Sequence, residues 1–143
     1  MGKGITVTPV ILHAGVSSPD RHEPPQPERF AVPEVTASLV GSARTAGRRV
    51  VAVGTTVTRA LVGAVASDAS LRTASGWTDR VLGPAHPARV VTGLVTGLHE
   101  PEASHRSLLE AVAGVDLVGA AYRAAIEHRY LWHEFGDSML FLP

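Results

Sequence analysis

The stretch Arg48–Leu61, RRVVAVGTTVTRAL, decides the fold class. Arg48–Val53 is a short β-branched run of strand length and reads as a buried strand. Gly54, Thr55 and Thr56 form a tight turn, and Val57–Ala66 reads as a helix. Upstream, Pro33 stands where a helix begins. Val35, Leu39, Val40 and Ala43 recur at helical spacing, and Gly47 supplies the stop. Helix, strand, tight turn, helix is the grammar of an α/β protein. The expected architecture is one compact α/β domain over 1–143, with a mixed sheet flanked by helices.

Working outward, Ile5–His13 is expected to be a strand that Pro9 places at an edge or breaks early. Residues 14–33 hold Pro19, Pro24, Pro25, Pro27 and Pro33 and are expected to form a Pro-rich loop, extended at its centre. Towards the C-terminus, Ser67–Gly76 reads as a polar loop, and Trp77–Leu82 and Arg89–Thr96 read as strands. Helices are expected over Ser104–Ala113 and, capped by Asp116, over Leu117–Arg129. The second should turn Val118, Ala121, Tyr122, Ala125 and Ile126 to one face. A last strand is expected over Ser138–Leu142.

Composition narrows the function classes. The chain has 143 residues and is 45% hydrophobic, which suits one globular core and argues against wholesale disorder. It has no cysteine, so a disulfide framework and a thiolate zinc site are excluded. Its apolar runs, such as Val90–Val95, are far shorter than a membrane span, and its first ten residues lack a signal peptide's apolar region. A cytoplasmic protein without a membrane partner is expected. Basic and acidic residues number 13 each, so the formal net charge is zero. This chain alone therefore has no basic surplus for a nucleic acid. Every basic residue except Lys3 is arginine. Arginine suits bidentate recognition of carboxylate or phosphate, although a high-GC genome produces the same bias.

Several residues carry possible chemistry. Free N–H groups at a helix start, with the hydroxyls of Thr55 and Thr56, make an anion or carboxylate site that Arg59, one turn in, would share. Equally, either threonine would serve as a plain helix cap. His99 and Glu100 follow a strand, where ligand sites of α/β folds lie. There His99 is either a general acid or base or a loop histidine bonded to backbone. Asp137 and Asp79 each either put a carboxylate at a pocket rim or stabilise a turn. His22-Glu23, His99-Glu100 and His133-Glu134 repeat one dipeptide, but none makes the HExxH spacing, and no metal is expected. The serine-hydrolase, Walker and dinucleotide-binding motifs are absent.

Taken in order, these segments resemble the S-adenosylmethionine:tRNA ribosyltransferase-isomerase (QueA-type) family of queuosine biosynthesis. RVVAVGTTVTRAL, GWTD, Gly83-Pro84, GLVTGLHEP, AVAG, AYRAAIEHRY and GDSMLFLP follow the family's segments in register. The resemblance covers nearly all of this chain but only the C-terminal portion of the family pattern. It implies S-adenosylmethionine as substrate and transfer of its ribosyl part to a deazaguanine base in tRNA, releasing adenine and methionine. By position it implies Thr55, Thr56 and Arg59 as the anchor region and His99 as acid or base. His13, Asp79 and Asp137 also match family segments. The family's H-V-G-x-G-T-F is His13-Ala14-Gly15-Val16-Ser17-Ser18-Pro19 here, and the aromatic stretch before its G-D-A-M is Leu131-Trp132-His133-Glu134-Phe135.

Three functions follow as expectations. The first is a ribosyltransferase-isomerase, with His99, Asp137 and His13 as catalytic candidates. Its substrate-binding candidates are Thr55, Thr56, Arg59, Asp79 and Glu100. The second is a stand-alone relative acting as a small-molecule isomerase or cyclase. The third is a non-catalytic binding or assembly module. A homo-oligomer, or a partner supplying the N-terminal half of the family pattern, is expected in each case.

Overall fold

A computed structural model describes residues 3–13, 26–101 and 105–143. Its elements run β1 (Ile11–His13), β2 (Glu28–Val32), α1 (Glu34–Thr45), β3 (Val51–Val53), α2 (Thr55–Gly63) and β4 (Ala74–Thr78). They continue with β5 (Gly93–Gly97), α3 (Arg106–Ala113), α4 (Val115–Glu127) and β6 (Ser138–Phe141). The α/β class is as expected. The mixed sheet is β3-β5-β6, with β3 parallel and β6 antiparallel to β5. A second, antiparallel sheet has the order β1-β2-β4.

The largest correction concerns the Pro-rich segment. Residues 14–25 of the expected loop lie outside the described residues. Glu28–Val32, at its end, is not loop but the central strand of the antiparallel sheet. Glu28, Phe30 and Val32 all point inward. The inward carboxylate of Glu28 hid the period-2 pattern, since alternation is scored on apolar residues.

Other corrections are shifts of boundary or face. Only Ile11–His13 of the expected N-terminal strand pairs. Its approach is pinned to α1 instead: the Thr36 hydroxyl donates to the Pro9 carbonyl at 2.6 Å. On α1 the buried residues are Thr36, Ala37 and Val40, while Val35 and Leu39 are exposed. β4 starts earlier than Trp77 and takes in part of the expected polar loop. α4 starts after Gly114, so Asp116 lies inside its first turn rather than capping it, and Ile126 is exposed. Among the described residues nothing covers the outer face of the β3-β5-β6 sheet: Val53 is 69% exposed and Leu140, on the other side of Val95, 57%, so β3 is not the buried strand expected.

Gly93 is required by close packing of that sheet. A Cβ there would meet the Phe141 carbonyl oxygen at 3.0 Å and the Leu142 Cδ2 at 2.8 Å. The Leu142 tip can swing away, but the carbonyl cannot move without shifting the ladder. Gly93→Ala is expected to destabilise the fold by about 1–3 kcal/mol, read as a lowered midpoint in thermal denaturation.

Candidate functional site

Three segments meet at one end of the mixed sheet. β3 and β5 are parallel, so Gly54-Thr55-Thr56 and Leu98-His99-Glu100 emerge side by side at their C-terminal ends. This is where α/β sheets bind ligands. β6 runs the other way and begins at the same end. Its approach is stitched on by two bonds: Leu98 N–H donates to the Asp137 carbonyl at 2.9 Å, and His133 N–H to the Leu98 carbonyl at 2.8 Å.

At the β3 exit, Gly54 has φ +97°, which favours glycine, and it is the residue that caps α2. Gly54 thus holds the cap position, and Thr55 and Thr56, both half-buried, are the first two residues of the helix itself. The capping alternative for these threonines is thereby removed.

At the β5 exit the structure assembles a group that the sequence did not disclose. The His99 ring lies 3.7 Å, centroid to centroid, from that of His133 and 4.1 Å from that of His105. Glu134 Oε2 lies 3.1 Å from His133 Nδ1. Gly97 makes room for this packing, because a Cβ there would meet the His133 Cβ at 2.8 Å. The approach to β6 is bent to deliver His133: Arg129 and Trp132 both have positive φ, at 58° and 71°. Such backbone costs energy and gathers at functional sites. The glycine ending β5 and the repeated His-Glu dipeptide were the available signals. Among the described residues no three His, Asp or Glu side chains are arranged to hold a metal ion.

Burial is the main cause that lowers the proton affinity of these imidazoles, and each imidazole lowers its neighbours' further. His99 is held below the ordinary histidine value by burial and then by His133, with Glu134 opposing. His105 is pushed down to about 3 by burial, then by His99 and His133. Its Nε2 is buried without a hydrogen-bond partner. Both rings are therefore neutral at pH 7, and a neutral imidazole can accept a proton.

This has a stability consequence. An unfolded histidine titrates near 6.5, so between there and about pH 3 the unfolded chain holds a proton that folded His105 lacks. Stability contributed at neutral pH is lost as pH falls through that window, with a slope of up to about 1.4 kcal/mol per pH unit. His105→Leu is expected to flatten the dependence between pH 7 and pH 5, measured by urea denaturation at both.

The remaining candidates sort into two groups joined by α2. Asp137 belongs with the first: its Oδ2 accepts the Leu131 N–H at 2.5 Å, and it lines a cleft of about 490 Å³ with His128, Arg129 and Tyr130. It thus braces a turn and stands at a cleft rim together. Glu100 is exposed beside His99. His13, Arg59 and Asp79 belong with the other sheet. His13 ends β1 opposite Arg29, and Asp79 follows β4 at the same sheet end; both are exposed. Arg59 is one helical turn beyond Thr55, about 6 Å of rise, but its guanidinium is committed elsewhere. It pairs with Glu28 Oε2 at 2.7 Å and donates to the carbonyls of Gln26 and Thr78, with both charged side chains buried. Glu28 is the partner that sequence reasoning missed, having been placed in a loop.

Comparison with known proteins bears on this arrangement. The family model described as queuosine biosynthesis protein matches residues 1–141. The chain is 36% identical over 146 residues to the S-adenosylmethionine:tRNA ribosyltransferase-isomerase of Pelotomaculum thermopropionicum, covering 97% of this chain and 43% of that protein. It is 37% identical over 144 residues to that of Natranaerobius thermophilus, covering 96% and 42%. The crystal structure of S-adenosylmethionine tRNA ribosyltransferase from Thermotoga maritima matches with a TM-score of 0.79 at 37% identity, over 99% of this chain and 46% of the other. The chain thus spans less than half the length of the relatives it matches.

Proposed function

The chain belongs to the queuosine biosynthesis protein family, and on that premise we propose that it forms part of an S-adenosylmethionine:tRNA ribosyltransferase-isomerase. The observation that carries the reading is the juxtaposition, at one sheet end, of a neutral histidine cluster with an uncapped threonine pair. S-adenosylmethionine is the proposed substrate. Its methionine carboxylate sits against the Thr55 and Thr56 hydroxyls and the free N–H groups at the start of α2, where the helix dipole favours negative charge. His99, unprotonated at neutral pH, takes the proton from the carbon next to the sulfonium. Glu134, whose charge opposes the lowering of His99, then stabilises the imidazolium that forms. Arg59 acts through Glu28 as a strut that positions α2, and Asp137 fixes the turn that presents His133. Glu100 lies on the His99 side of the site, and His13 and Asp79 at the end of the other sheet. A stand-alone isomerase or cyclase, or a non-catalytic module, has no specific observation in its favour.

Completion of the site calls for a partner. Sheets with parallel strands are normally covered on both faces, yet the face bearing Val51, Val53, Leu140 and Leu142 is open. We propose that this face is covered by the part of the family architecture that the chain does not span, in preference to a second copy. No helix among the described residues is long and apolar enough to cross a membrane, and a cytoplasmic location accords with the proposal.

The test is calorimetry with S-adenosylmethionine, followed by chromatographic detection of adenine. Precursor tRNA and the complementary portion of the Thermotoga maritima relative are supplied. Binding and adenine release are expected. Their absence with the complement present would defeat the reading.

A further inference from the structure

Away from the histidine site, a cleft of about 550 Å³ lies between the helices and the end of the antiparallel sheet. Three arginines line it, from three separated segments: Arg44 in the last turn of α1, Arg80 just after β4, and Arg89 ahead of Val90. No aspartate or glutamate lines it. Val62, Val65 and Val90 supply an apolar wall. Of the two acids next to its lining in sequence, Asp68 is engaged by Arg72 and by the Ser70 hydroxyl, and Asp79, beside Arg80, is exposed.

The cleft is built rather than incidental. The Arg44 Nη1 donates to the Ala69 carbonyl at 3.1 Å, which holds that guanidinium across the cleft floor. The segment carrying Arg89 is fixed by three bonds: His86 N–H to the Gly83 carbonyl, Ala88 N–H to the Ala111 carbonyl and Arg89 N–H to the Pro87 carbonyl. Arg80 and Arg89 are exposed and, among the described residues, neither is ion-paired. In a chain of zero net charge, such a concentration leaves a local positive field beside a low-dielectric wall, which strengthens it. Guanidiniums match phosphate oxygens in a bidentate fork.

We infer that the Arg44–Arg80–Arg89 cleft binds a phosphate group, presented either by an RNA backbone or by a small phosphorylated molecule. The site is separate from the proposed S-adenosylmethionine site, and its test does not depend on ribosyl transfer.

The test compares the parent chain, the double variant Arg80→Gln/Arg89→Gln, and a charge-matched control, Arg48→Gln/Arg49→Gln, whose arginines are also exposed. One arm titrates inorganic pyrophosphate by calorimetry in chloride buffer. The other measures fluorescence anisotropy of labelled tRNA at rising salt. Binding at least about tenfold weaker in the Arg80/Arg89 variant than in the control is expected in one arm. A response to pyrophosphate identifies a small phosphorylated ligand, and a response to tRNA alone identifies the RNA backbone. No binding in either arm, or equal losses in variant and control, overturns the inference. Circular dichroism of the variants confirms that folding is unchanged.

Discussion

His99→Asn is expected to lower adenine release from S-adenosylmethionine by about 10²–10⁴-fold while leaving S-adenosylmethionine affinity within a few-fold. Asparagine keeps a hydrogen-bonding group of similar reach but cannot accept a proton near neutral pH. Removing a proton acceptor weakens the transition state and spares ground-state binding, so the loss falls on turnover. His99 is suited to that role because burial and the neighbouring His133 hold it unprotonated at neutral pH. His133→Phe is the companion variant. It keeps an aromatic ring against His99 but removes the link to Glu134, which lies 3.1 Å from His133 Nδ1. A smaller loss, with a shifted pH profile of turnover, is expected. Turnover of His99→Asn within threefold of the parent chain, measured on saturating substrate with the complementary portion present, would remove His99 from the chemistry.

Glu28→Ala is expected to destabilise the fold by about 3–5 kcal/mol, a large share of the roughly 5–15 kcal/mol that holds a domain together. The reason is asymmetry. With both partners present, the buried pair at 2.7 Å offsets much of its desolvation cost. Without Glu28, the Arg59 guanidinium stays buried with only the carbonyls of Gln26 and Thr78 as acceptors. Its Nε already lacks a partner. Replacing both residues, as Glu28→Met/Arg59→Met, removes the stranded charge and is expected to recover most of the loss. Urea denaturation of Glu28→Met, Arg59→Met and the double gives the coupling directly. Additive single losses would show that the pair is not a unit. The variants also bear on function, because the pair ties α2 to the β2–β4 sheet and so sets where Thr55 and Thr56 stand.

Local pattern carried much of this protein. Strand-glycine-helix at Val51–Thr55 and the helical segments around 34–45 and 115–127 follow from period, glycine and proline signals, and the structure has them. The family relation was legible too, because several short motifs in one order constrain far more than any one does. Faces were less legible. Val35 and Leu39 satisfy helical spacing as well as Val40 does, and only packing put Thr36, Ala37 and Val40 inside and left Val35 and Leu39 out.

What the sequence alone determined is therefore the α/β class and the family, with Thr55, His99 and Asp137 offered as candidates. The tertiary structure alone decided which of these residues act together. Arg59, one turn from Thr55, belongs with Glu28 across 31 residues of chain. His99 acquires His105 and His133 as neighbours, although no periodicity relates the three. The physical reason is the same in both cases. Backbone preference and hydrophobic period act over a few residues, whereas a buried ion pair and a cluster of imidazoles exist only once separate strands have closed against one another. Their burial, and with it the charge state that the proposed chemistry needs, is a property of that closure.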